Sequence, residues 1–123
     1  WQWCGARPRR DAQRVLAGAE LLVLTSRSEG GANVVTEAIA ADVPVLSTRI
    51  AGSLGILGDD YPGYFDVGDA AGLARLLARA EHDPGFRAEL RRRLAALRPL
   101  VAPAHERACW HDLLHGLALA AAR

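Results

Sequence analysis

The chain has 123 residues, half of them hydrophobic, and a formal net charge of +1. That length allows one domain with a real core and leaves two domains cramped. The near-neutral balance excludes a global electrostatic pull towards nucleic acid or a membrane surface.

The opening WQWC is aromatic and strand-like and ends at Gly5. It predicts the tail of a strand over 1–4 already under way, and so a piece of something longer. ARPRRDAQRVLAGAE (6–20) predicts a helix, with a proline where a first turn tolerates one and Ala12, Val15, Leu16 and Ala19 at helical spacing. LLVLT (21–25) is a continuous apolar run, which predicts a strand buried on both faces. SRSEGGAN (26–33) reads as a loop and VVTEAIAA (34–41) as a short helix stopped at Asp42. VPVLSTR (43–49) is the next buried strand. The glycine-rich stretch 50–64 predicts a loop with one helical turn around Leu54–Leu57, and YFDV a short strand.

Three helices are predicted to close the chain. One starts on Asp69, a good N-cap, with Leu73, Leu76, Leu77 and Ala80 on one face. The second starts on Pro84 and carries Phe86, Leu90, Leu94 and Leu97. The third runs from about Pro103 to Ala121, with Ala108, Trp110, Leu113, Leu114 and Leu117. Alternating helices and short buried strands predict an α/β fold: a Rossmann-like parallel sheet wrapped by helices. Ligands of such sheets sit outside the carboxyl ends of the strands. SRSEGG and STRIAGS both lie at such ends and are expected to open on the same edge.

All 15 Lys+Arg residues are arginine. With the abundance of alanine, this reads as the base composition of a GC-rich bacterial genome rather than as function. Cys4 and Cys109 stand far apart with no CxxC, which suits a reduced, cytoplasmic context. No apolar run approaches the about 20 residues of a membrane span, and no signal peptide is evident.

The chemistry concentrates in SRSEGGANVVTE (26–37). At about 100° per residue, Val34, Val35, Ala38 and Ile39 share one arc of the helix, and Asn33, Glu37 and Ala40 lie opposite. Gly30 and Gly31 let the amides at the helix start approach a ligand, and the helix dipole favours an anion there. Ionised Glu29 and Glu37 accept hydrogen bonds from hydroxyl groups. A ligand with phosphates between two polyols fits: a nucleotide sugar. Against this stands the plain alternative that Glu37 is a solvated helix face and Glu29 a favourable charge before a helix.

These residues resemble the C-terminal lobe of GT-B glycosyltransferases, in particular the retaining family 4. A Glu, seven residues and a second Glu, then a small-residue helix and a strand entered through Pro-Val, read here as EGGANVVTEAIAADVPVLST. GYFDVGDAAGLARLLARAEHDP is similar to the segment that follows in that family, and the likeness covers 1–98 and, more loosely, the rest. The resemblance implies that Glu37 binds the donor ribose and that Glu29 is the catalytic-site carboxylate touching the transferred sugar. It places Gly30, Gly31, Ala32, Asn33 and Val34 at the sugar and diphosphate, and Trp3 and Cys4 near the base. It implies a nucleotide-sugar donor, a small-molecule acceptor, and no metal cofactor, because cationic side chains and helix amides stabilise the leaving diphosphate. The acceptor-binding N-terminal lobe and the basic diphosphate ligands are expected upstream of Trp1, so the chain alone is expected to bind donor weakly and to be inactive. The helix over 102–123, with Trp1, Trp3 and Trp110, is expected to face that lobe. EGGANVVTEAIA, STRIAGSLGILG and DYPGYF further resemble the selenosugar synthase branch, which implies transfer from UDP-N-acetylglucosamine to selenophosphate.

Asp42 departs from the family, which has glycine there; aspartate tolerates the left-handed conformation that glycine usually supplies. Arg27 and Arg49 follow strands at the ligand edge, where each suits a phosphate, an anionic acceptor, or an ion pair with Glu29 or Asp42. HDLLH (111–115) imitates a zinc-protease helix but has Asp112 in place of the glutamate, and reads as two surface histidines. Arg91–Arg93 read as a solvated face rather than a nucleic-acid patch. A non-catalytic nucleotide-binding or interaction module is the alternative of a different class.

Overall fold

A computed structural model describes residues 2–121. Its elements, in chain order, are α1 (Arg9–Ala17), β1 (Leu22–Leu24), α2 (Asn33–Ala41), β2 (Val45–Thr48), α3 (Ala51–Leu57), β3 (Tyr64–Phe65), α4 (Ala70–His82), α5 (Pro84–Leu97), a 3-10 turn (Arg98–Val101) and α6 (Pro103–Ala121). The three strands form one sheet in the order β1-β2-β3. Both pairings are parallel, with Val23 opposite Leu46 and Thr48 opposite Phe65. This is the α/β, Rossmann-like arrangement that alternating elements predict.

β2 is the central strand and is buried along its whole length. The run from Val43 to Thr48 is apolar enough to stay dry, and its hydroxyls are satisfied: Ser47 Oγ lies 2.8 Å from Ser53 Oγ. α2 is the hub of the helical layer, touching α1, α3, α5 and the 3-10 turn. It buries Val35, Ala38 and Ile39, as the helical wheel requires. Phe86, Leu90 and Leu94 of α5 complete the core, each at most 2% exposed. Each such side chain removes enough apolar surface to contribute about 1.5–3 kcal/mol.

The caps are local chemistry. Asp69 Oδ1 accepts from the Gly72 amide at 2.8 Å and starts α4. Asp83 Oδ1 accepts from the Phe86 amide at 3.0 Å, with Pro84 following in the first turn of α5. Asp42 ends α2 at φ 61° and ψ 31°, the left-handed conformation, and pairs with Arg98 at 2.9 Å.

Several expectations are corrected. Residues 2–4 form no strand: they have no ladder partner, and a strand exists only through its neighbour. Trp1 lies outside the described residues. α1 is shorter than 6–20 because Pro8 is its N-cap, and Val15 is exposed, leaving Leu16 and Ala19 against the core. β1 is half-buried rather than buried on both faces, since it is an edge strand among the described residues. α3 runs two turns, not one, despite Gly52 and Gly55, because Leu57 and Ser53 are buried beneath it. Leu77 of α4 is exposed. α6 presents Trp110, Leu113, Leu114 and Leu117 to solvent, each more than half exposed, and meets the rest of the chain at the 3-10 turn. None of the described helices is long and apolar enough to cross a membrane.

Candidate donor-binding site

Parallel pairing puts the carboxyl ends of β1, β2 and β3 on one edge, so the loops 25–32, 49–50 and 66–69 gather there. A cleft of about 260 Å³ opens at that edge, bounded by Thr25, Arg27, Thr48, Phe65, Gly68 and Leu73. The contribution of 66–69 was not expected; a short strand followed by Gly-Asp was the available signal.

Glu29 is half-buried in the loop after β1. Ser26 Oγ donates to its Oε1. The Ser26 carbonyl accepts in turn from Thr48 Oγ1, at 2.6 Å, from the end of β2. On its backbone side the loop rests against α3 at Gly52, where an added Cβ would stand 2.7 Å from the Glu29 carbonyl oxygen. Only glycine allows that approach.

Gly30 and Gly31 are exposed, and a Cβ added at either meets nothing within 4 Å, so the space above them is open. Ala32 is fully buried and is the N-cap of α2, with no side-chain cap. The Asn33 amide donates to the Gly31 carbonyl, and those of Val35 and Thr36 to Ala32. Among the described residues the amides of Gly30, Gly31, Ala32 and Val34 have no backbone partner. An uncapped start leaves donors and a partial positive charge at this helix end, where Gly30 and Gly31 are exposed.

Glu37 sits one turn further, beside α1. Its Oε1 accepts from Gln13 Nε2 at 3.1 Å and from Arg9 Nη2 at 3.3 Å. Gln13, Leu16, Glu37 and Ala40 border a second cleft, of about 280 Å³. Arg9 is 83% exposed, so this ion pair is worth at most about 1 kcal/mol and yields readily to a ligand. Glu37 is half-buried, with its partners drawn from the exposed face of α1. Neither Glu29 Oε2 nor Glu37 Oε2 has a partner among the described residues. Arg9 and Gln13 carried no signal in sequence, since only packing brings them to Glu37.

The arginines separate. Arg27 borders the strand-end cleft and forms no ion pair among the described residues. Arg49 borders a neighbouring cleft with Phe65, Asp66 and Asp69, donates to the Asp59 carbonyl at 3.0 Å and lies 5.3 Å over the Tyr64 ring. Asp42 is held by Arg98, so neither Arg27 nor Arg49 pairs with Glu29 or Asp42. Trp3 is 80% exposed and Cys4 exposed, beside no strand. His111 and His115 stack at 6.2 Å on exposed α6, and no three metal-ligating side chains converge among the described residues. Arg92 and Arg93 pair with Glu89, and Arg93 also with Asp60, which neutralises much of the basic run.

Residues 1–96 match the family model described as glycosyl transferases group 1. The chain belongs to that family, and its parallel sheet is a Rossmann-like half of the GT-B type. It is 34% identical over 86 residues to a Bacillus subtilis protein that carries the name teichuronic acid biosynthesis glycosyltransferase TuaC, an alignment covering 70% of this chain and 22% of the relative. It is also 34% identical over 84 residues to the lipopolysaccharide core biosynthesis glycosyltransferase LpsE of Rhizobium meliloti, covering 68% and 25%. The chain thus spans about a quarter of the length of these relatives.

Proposed function

We propose that this chain is the donor-binding lobe of a retaining glycosyltransferase and takes a nucleotide sugar. The observation that carries the reading is the uncapped start of α2, with open space over Gly30 and Gly31, between two carboxylates that are each held through one oxygen. In this reading the amides of Gly30 and Gly31, beside Ala32, Asn33 and Val34, meet the diphosphate and sugar, Glu37 Oε2 accepts from the ribose hydroxyls, and Glu29 Oε2 from the transferred sugar. Arg27 faces the anionic part of the ligand, and Trp3 and Cys4 lie towards the base. Developing charge on the leaving diphosphate is stabilised by these amides and by cationic side chains, without a metal ion. In this reading the edge that carries these clefts forms one wall of the site. A second lobe covering the exposed face of α6 around Trp110 would supply the other wall and the acceptor site, in a cytoplasmic enzyme.

The finer reading is transfer from UDP-N-acetylglucosamine to selenophosphate, supported only by the likeness of EGGANVVTEAIA, STRIAGSLGILG and DYPGYF to selenosugar synthases. A glycan acceptor is the second reading, favoured by the names of both relatives. Ligand-observed NMR with UDP-N-acetylglucosamine, UDP-glucose, GDP-mannose and NAD tests the donor role. Saturation transfer to ribose and hexose protons for one UDP-sugar, lost in Glu37→Ala, is expected. Equal signals for all four, unchanged in the variant, would replace the donor-lobe reading with a general binding module. Product analysis of the intact natural protein, given selenophosphate or a saccharide acceptor, decides between the two acceptors.

A further inference from the structure

Ser26 and Glu29 have the spacing of a helix capping box, Ser-x-x-Glu, yet they cap nothing. Residues 25–32 are outside any helix and α2 begins only at Asn33. In a capping box each side chain satisfies a backbone amide; here the serine hydroxyl is spent on the glutamate carboxylate itself. Two further constraints hold the same loop. Thr48, 1% exposed at the end of the central strand, fixes the Ser26 carbonyl at 2.6 Å. Gly52 lets the first turn of α3 touch the Glu29 backbone.

We propose that Ser26 is a positioning residue for the Glu29 carboxylate and that Thr48, through the Ser26 carbonyl, anchors it to the sheet. The inference rests on the proposed role of Glu29 at the transferred sugar. The mechanism is orientational. A free glutamate samples several rotamers, and a donor on Oε1 selects one and leaves Oε2 facing the ligand. Because Thr48 is on the rigid central strand, the direction of that carboxylate is referred to the sheet rather than to a loop. The cost of losing it falls on the geometry of the reacting sugar, not on the grip on the nucleotide.

The test is steady-state kinetics of the intact natural protein with its nucleotide-sugar donor, comparing Ser26→Ala, Ser26→Thr, Thr48→Val and Glu29→Gln. Ser26→Ala should lower kcat by about tenfold or more. The inhibition constant of the sugar-free nucleoside diphosphate should stay unchanged, and Ser26→Thr, which keeps the hydroxyl, should restore most of kcat. Thr48→Val should follow Ser26→Ala in direction. A general structural role would move the inhibition constant and kcat together, and that result would overturn the proposal. So would a Ser26→Ala enzyme with normal kcat beside an inactive Glu29→Gln. If Glu29→Gln itself keeps full activity, the role assigned to Glu29 fails first, and the positioning role falls with it.

Discussion

At Gly52 the identity of one residue is fixed by contact. A Cβ there would overlap the Glu29 carbonyl oxygen at 2.7 Å, whereas at Gly55, in the same helix, it would meet nothing within 4 Å. Both substitutions raise helix propensity by about 1 kcal/mol. Gly55→Ala is therefore expected to be neutral or stabilising, and Gly52→Ala to lower the thermal midpoint because the loop must shift. Differential scanning fluorimetry of the two variants checks this; equal midpoints would show that the contact is not a constraint. Asp42 was readable in advance as a helix stop, because few non-glycine residues accept φ 61°. Gly52 was not readable: nothing in STRIAGSLG marks which glycine meets the loop.

At the scale of elements, the start signals acted locally and so were visible in sequence. Asp69 caps α4 as expected, and Asp69→Ala should cost about 1 kcal/mol in a urea titration, with the slope unchanged. A null result would mean that the packing of α4 on α5 sets the helix start instead. The apolar faces of α2 and α5 were equally legible, since spacing alone groups Val35 with Ala38 and Ile39, and Phe86 with Leu90 and Leu94. Elements that depend on a neighbour were not. The WQWC stretch has β-propensity without a ladder partner, and LLVLT has the composition of a central strand at an edge position.

At the scale of the whole molecule, the core is small and each member matters. Leu90 is fully buried beside the β2 strand's layer, and Leu90→Ala should cost about 2–5 kcal/mol by equilibrium unfolding, a large share of a domain's stability. A loss below that range would mean that α5 collapses into the gap. Two phenols tie the β3 side together. Tyr61 donates to the Val45 carbonyl at 2.7 Å, and burial pushes its pKa well above the usual phenol range. Tyr64 donates to the carbonyls of Gly58, at 3.0 Å, and Ser53; burial pushes it up to about 12, against the lowering effect of Arg49. Both folded values are raised above the ordinary value of about 10, so the stability they add is complete below pH 10. It is lost as the unfolded chain ionises between pH 10 and about 12. Denaturation midpoints should hold up to pH 10 and fall above it, and fall less steeply in Tyr64→Phe. A flat profile to pH 11.5 would show that these phenols ionise without unfolding.

Period and composition alone encode the parallel α/β architecture, the apolar faces of α2 and α5, the Asp69 cap and the Asp42 stop, and a glutamate pair flanking two glycines at a strand's carboxyl end. These depend on residues within one or two turns of each other. What each carboxylate touches is set by the folding of distant segments together. Glu37 meets Arg9 and Gln13 across 28 and 24 residues, and Thr48 reaches Ser26 across 22. The reason is that hydrogen bonds extend about 3 Å and care nothing for separation along the chain, whereas sequence patterns register only neighbours in order.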